Sequence, residues 1–165
     1  MSPKPLMTVT STGALGGGGG QSLRRILVPV QSPAAADKAL SFAADACRTV
    51  NGVIRLVHVR TYDPPIPRCP SRFYPESVED AAALLDEALV TVWAHGAQAT
   101  TAVVDAPRGD AGEAIAQHAA SWQANLIVLT RRPRSAVGRL VLGSVPDQVM
   151  RSASCPVLTV HPRSK

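Results

Sequence analysis

What the chain lacks narrows its class before any motif is considered. No uninterrupted apolar run approaches the roughly 18 residues a bilayer span needs, so no membrane segment is expected. The first residues carry no charged stretch leading into an apolar one, so no secretory leader is expected and the cytoplasm is the expected compartment. Cysteine is scarce. Cys47, Cys69 and Cys155 are odd in number, widely spaced and without a CxxC pair, which argues against a disulfide framework or a zinc site. No GxGxxG follows the first strand-like run and no GxxxxGK(S/T) occurs, so neither a dinucleotide dehydrogenase nor a P-loop NTPase is supported.

Charge is also missing where it would matter for nucleic acid. The chain has 165 residues, 17 Lys and Arg against 12 Asp and Glu, and a net charge of +5. Residues 1–22 hold only Lys4, and residues 131–139 hold Arg131, Arg132, Arg134 and Arg139 with no acid. The remainder is neutral. A neutral body with one arginine-rich segment lacks the broad basic stripe that wraps nucleic acid, so nucleic acid is not an expected partner. The segment points instead to a local anion-facing loop.

What is present suits one domain. Hydrophobic residues make up 45% of the chain, enough for the core of a domain of about 140 residues. Residues 1–22, with the five-glycine run Gly16 to Gly20, read as a disordered head, and the domain is expected over 23–165. Ile26 to Val30 is a short apolar run of the kind covered on both faces. Ala34 to Val50 has Leu40, Ala43, Ala44 and Cys47 at helical spacing, ended by Asn51-Gly52. Val53 to Val59 reads as a strand, and residues 61–76, with five prolines, as a stiff connection. Ser77 to His95 is the next helix, with Ser77 and Asp80 as a capping box. Strands at Gln98 to Val104, Leu126 to Leu129 and Pro156 to Val160 alternate with helices at Asp110 to Trp122 and Ser144 to Ser152. This alternation predicts an α/β fold, an open parallel five-stranded sheet with helices on both faces. Ligands of such sheets bind beyond the carboxyl ends of the strands, where strand order reverses.

The run Asn125 to Thr130, continuing through Gly143-Ser144 to Cys155-Pro156-Val157-Leu158-Thr159-Val160, resembles the C-terminal signature of the universal stress protein family. Ile26 to Val30, Ala39-Leu40, Leu56 to Val59 and Gly109 with Ala114-Ile115 match in register, so the resemblance covers about residues 24–162. It implies a Rossmann-like sheet of order 3-2-1-4-5, of the adenine nucleotide alpha hydrolase-like kind. It also implies a bacterial-type stress-response module and a homodimer formed by pairing of the last strands, Val157 to Val160.

ATP-binding members of that family hold phosphates on a motif of Gly, two residues, Gly, nine residues and Gly-Ser/Thr, because bare amides must approach the anion closely. Here Gly143-Ser144 matches the last pair, followed by Val145. Thr130 stands at the first glycine and Pro133 at the second, where no N–H is available. Gln31 replaces the aspartate that ends the first strand, a poor exchange for a Mg²⁺ ligand, and Pro146 follows Val145. Pro29, Val30 and Val59 match the adenine and ribose side. Arg131 and Arg132 crowd the loop, where guanidinium groups could replace the lost amides toward a nucleotide or other anion. The simpler reading is a solvated surface loop, and a contact for protein or RNA is a weaker third.

Other polar residues suggest less. His58, His95, His118 and His161 form no ligand pair and read as structural or exposed. Cys155 reads as a small buried hydrophobe. Cys69, near Arg68 and Arg72, is the candidate exposed thiol, with no partner cysteine in view. Asp105 and Asp110 flank Arg108-Gly109 without a nucleophile, and Asp110 reads as a helix N-cap. The SGGxDS-like and HxGH elements of related ATP pyrophosphatases and nucleotidyltransferases are absent. The expectation is a non-catalytic binding or regulatory module without a cofactor. The alternative is a nucleotide-binding sensor for ATP or another adenine nucleotide with an arginine-modified phosphate loop.

Overall fold

The structure, a computed structural model, describes residues 8–10, 23–68, 70–130 and 144–161. Its first parallel strand, β2 (Arg25–Pro29), is buried at Ile26, Leu27 and Val28, so both faces of the sheet are covered there. The helix α1 (Pro33–Thr49) starts where Ser32 accepts from the Ala35 amide at 3.4 Å and Pro33 fixes the first helical φ. It ends where Asn51 turns to φ 51° and the Gly52 amide donates to the Cys47 carbonyl at 2.8 Å. Glycine is required at position 52 because a Cβ there would lie 2.8 Å from the Arg24 carbonyl oxygen.

The strands β3 (Val53–Tyr62) and β4 (Gln98–Pro107) run ten residues each and pair from Val53↔Gln98 to Tyr62↔Pro107. Both continue three residues past the ends expected from hydrophobicity. The reason is electrostatic: the register sets Arg60 opposite Asp105, and the guanidinium donates to both carboxylate oxygens at 2.9 Å. Between them α2 (Val78–Ala94) begins at Ser77, whose Oγ accepts from the Asp80 amide at 3.0 Å and donates to the Asp80 carboxylate at 2.7 Å.

The remaining elements are α3 (Ala111–Ser121), β5 (Leu126–Thr130), α4 (Ser144–Ser152) and β6 (Val157–Val160). Asp110 sits at the start of α3 but makes no side-chain capping bond, so its expected N-cap role is not realised. Its φ of −105° and ψ of 12° depart from the extended geometry that aims a capping side chain at the next turn.

Counting only the parallel strands, the sheet order is the expected 3-2-1-4-5, here β4-β3-β2-β5-β6. A sixth strand extends it. β1 (Thr8–Thr10) lies in the head expected to be without structure, and it pairs antiparallel with β6 through Thr8↔Thr159, Val9↔Leu158 and Thr10↔Val157. The Thr-Val-Thr run is β-branched throughout, and β6 offers an open row of backbone groups. The edge that the resemblance assigns to a second copy is therefore paired within the chain.

Alternation of side chains divides the core in two. Ile26, Val28, Ile54, Leu56 and Val128 face α1 and α2, where Leu40, Ala44, Leu85 and Val92 are buried. Leu27, Val57, Ile127 and Val157 face α3 and α4, against Ile115, Ala119 and Val149. Small residues on α1 let that helix lie close to the sheet. α3 and α4 approach as closely at Gly112, where a Cβ would meet Gln148 Cβ at 2.4 Å and the Val145 carbonyl oxygen at 2.6 Å.

Candidate functional site

Strand order reverses between β2 and β5. The chain leaves β2 for α1 on one face of the sheet, whereas α4, which follows β5, lies on the other. A crevice therefore opens beyond the carboxyl ends of these two strands. The pairing Ile26↔Leu126 and Leu27↔Ile127, continued along both strands, sets Val30 level with Thr130.

Five of the sequence-derived candidates gather at these ends. Pro29 closes β2, Val30 is buried, and Gln31 is exposed just before the N-terminus of α1. Val59 is half-buried on β3, two residues beyond the register partner of Pro29. Thr130 ends β5, and its Oγ1 is shut off from solvent without a hydrogen-bond partner among the described residues. Val145 lies in the first turn of α4 and packs against the second core. Ser144 opens α4, but its side chain, like Arg131, Arg132, Pro133, Arg134, Arg139 and Gly143, lies outside the described residues, as does Cys69.

His58 was not singled out as a site residue, yet it holds the wall of the crevice. Its Nδ1 donates to the Val30 carbonyl at 2.7 Å, and its Nε2 meets the Glu76 carboxylate at 2.7 Å. A carbonyl oxygen can only accept, so the Nδ1 proton is fixed by geometry. The Val30 amide in turn donates to the Val57 carbonyl at 2.8 Å. Both polar groups of the Val30 backbone are thus committed to β3. Glu76 lies 18 residues from His58 across the proline-rich connection, and no local pattern links them in the sequence.

That connection is itself anchored beside the crevice. The Arg60 guanidinium stacks on Tyr74 at 4.2 Å, Tyr74 packs on Tyr62 at 5.3 Å, and Arg72 lies over Tyr62 at 4.6 Å. Arg108 pairs with Asp63 at 2.5 Å. The Arg60 hydrogen bond holds the Asp105 carboxyl below its usual range, and Arg108 does the same for Asp63. Asp105 and Asp110 line a cleft of about 240 Å³ with Glu113 and Gln117. Both oxygens of Asp105 accept from Arg60.

The other expectations can be placed directly. Cys47 is fully buried, and burial pushes its thiol up to about 11. Cys155 is half-buried against the second core and is likewise raised by burial. His95 lies 3.5 Å from Asp45 on the surface, and His118 is half-buried on α3.

Comparison with known proteins adds a family. The profile of the universal stress protein family matches residues 22–161. The protein "Universal stress protein in QAH/OAS sulfhydrylase 3'region" of Thermus aquaticus is 43% identical over 67 residues, which are 36% of this chain and 49% of that protein. The chain thus spans about half the length of that relative. The structure of a universal stress protein from Archaeoglobus fulgidus superposes with a TM-score of 0.67 at 26% identity, covering 82% of this chain and 97% of the other. A second structure, of the universal stress protein from Archaeoglobus fulgidus in complex with dAMP, gives a TM-score of 0.63 at 21% identity, over 85% and 99% of the two chains.

Proposed function

The chain belongs to the universal stress protein family, and from that premise we propose that it is a non-catalytic regulatory binding module of the stress response. The reading departs from conventional Mg²⁺-ATP binding. The observation that carries it is Gln31, which follows β2 just before α1 and presents a neutral amide there. An amide carries no charge to draw in a phosphate-bound divalent cation. Pro133 in the loop after β5 has no N–H to give a phosphate. Residence in the cytoplasm of a bacterium belongs to the same proposal. Among the described residues no helix is long and apolar enough to cross a membrane.

A second reading is favoured by a different observation. The buried Thr130 hydroxyl, without a partner among the described residues, and the apolar Val30 and Val59 form a wall suited to a nucleoside, and the dAMP complex of a protein with this fold supports it. On that reading the chain is an adenine-nucleotide sensor. Gly143, Ser144, Arg131 and Arg132 would hold phosphate without a carboxylate-bound metal. Isothermal titration with ATP, ADP, AMP and cyclic AMP, each with and without Mg²⁺, separates the two. Absence of heat with every nucleotide at millimolar concentration removes the sensor. Tight Mg²⁺-dependent ATP binding removes the first reading.

Homodimer formation is also proposed, on family resemblance. The pairing of β1 with β6 means that a second copy joining through Val157–Val160 must displace the chain's own strand. Sedimentation velocity across a concentration series tests it, and a monomer at all concentrations removes it.

A further inference from the structure

The amino-terminal ends of β2 and β3 hold a cluster that none of the preceding assignments uses. Arg25 on β2 and Arg55 on β3 lie on the sheet face covered by α3. The register pairs Arg25 with Val53 and Leu27 with Arg55, so the two arginines sit diagonally on neighbouring strands. Both guanidiniums approach one indole: the Cζ of Arg25 is 4.6 Å and that of Arg55 is 5.3 Å from the ring centroid of Trp122. His118, one turn earlier on α3, completes the group.

The two guanidiniums bring donors and no acceptor. Among the described residues Arg25 Nε, Arg55 Nε and His118 Nε2 are each shut off from solvent without a hydrogen-bond partner. Among the described residues no carboxylate lies within 4 Å of either guanidinium. The Trp122 face attracts both cations, but it carries no formal negative charge and no lone pair to pair their N–H groups. At the end of α3 the carbonyls of His118, Ala119 and Ala120 already accept from the amides of Trp122, Ala124 and Gln123. The Asn125 side-chain oxygen takes the Arg25 amide at 3.0 Å, and Arg55 reaches one acceptor, the Thr101 carbonyl, at 3.1 Å. Buried donors are normally paired, and two cations on one ring repel each other unless an anion stands between them.

We propose that Arg25, Arg55, His118 and Trp122 form a binding site for a small oxyanion group, a phosphate or a carboxylate, at the end of the sheet opposite the β2–β5 crevice. An oxyanion supplies the two things the cluster lacks: negative charge between the guanidiniums and several lone pairs for their N–H groups. Trp122 provides a flat wall that fixes both forks. His118 is held below its usual value first by burial and then by the Arg55 charge, so it meets the ligand as a neutral ring. The site does not depend on the nucleotide reading, because its residues lie at the far end of the strands.

The test is an NMR titration of the full chain with sodium phosphate and, separately, sodium acetate, each matched by sodium chloride of equal ionic strength. The Trp122 indole N–H and the His118 ring resonances are expected to shift and saturate in the millimolar range with one or both oxyanions, while Val30 and Thr130 stay in place. The two arms identify which anion chemistry the site takes. Arg25→Gln and Arg55→Gln should each weaken that binding about tenfold or more, with dispersed spectra showing that the fold persists. Shifts matched by chloride, or no saturable shift with either oxyanion in the wild-type chain, overturn the proposal. So does undiminished binding in both variants.

Discussion

The Nδ1 of His58 donates to the carbonyl oxygen of Val30 at 2.7 Å and thereby ties the end of β3 to the end of β2. The imidazole is nearly buried and has a carboxylate on its other side, so removing it orphans two acceptors. His58→Ala should destabilise the chain by about 1–3 kcal/mol in urea denaturation. Amide exchange at Val30 should quicken more than at Ile54 or Leu56, which lie deeper on the same sheet. Equal protection at all three positions would show that His58 does not hold this end of the sheet.

Acid should weaken the fold in two stages. Asp105 and Asp63 are held by Arg60 and Arg108 below their ordinary 3.8, so the folded chain binds fewer protons than the unfolded one as pH falls past that value. Their contribution is complete above the ordinary carboxylate range and is lost as pH drops through their folded values. His118, held under 6.5, adds an earlier decline, which begins as pH falls through 6.5. The melting temperature of the wild-type chain should fall below pH 6.5 more steeply than that of His118→Gln. It should fall below about pH 4 more steeply than that of Arg60→Gln with Arg108→Gln. Parallel curves would refute the assignment.

Gly112 is the point where α3 and α4 touch backbone to side chain. The Gln148 side chain accepts from the Gly112 amide at 3.0 Å and donates to the Gly109 carbonyl at 2.5 Å. Gly112→Ala must push α4 away, because Val145 contributes a backbone oxygen that cannot rotate aside. A loss of about 1–3 kcal/mol is expected in thermal or urea unfolding. Gly109→Ala meets open space but sits at φ +103°, so its cost, about 1–3 kcal/mol, is backbone strain alone.

Thiol chemistry should follow burial. In a Cys69→Ser chain, Cys47 and Cys155 remain, both raised by burial. Ellman's reagent at pH 8 should react with Cys47 only at the rate of unfolding and with Cys155 faster, since Cys155 is half-buried. Rapid reaction of both in the native protein would contradict the packing around α1.

The parts of this fold written in short-range pattern were legible. Ile26 to Val28 is apolar without alternation because both faces are covered, and Ser77 with Asp80 announces α2 through contacts three residues apart. The apolar wall of the crevice followed from the same strands. What was hidden lies between residues distant in sequence. The His58–Glu76 contact spans the proline-rich connection, and the Arg60–Asp105 pair that lengthens β3 and β4 spans 45 residues. Arg25 and Arg55 vanished into a neutral charge count, because composition cannot tell a paired arginine from one facing an indole. Asp110 was legible as the N-cap position of α3, but its missing side-chain bond was not, because a capping residue type does not ensure a capping backbone conformation.

The strand Thr8–Thr10 gives the chain a tethered competitor for its own sheet edge. Twelve residues separate Thr10 from Leu23, and six of them are glycine. Twelve residues span at most about 40 Å, which keeps the strand at a high local concentration beside β6. Any free strand adding to β6, from a second copy or from another protein, faces that local concentration instead of an empty edge. Tags or truncations that disturb Thr8–Thr10 would change that competition at the β6 edge.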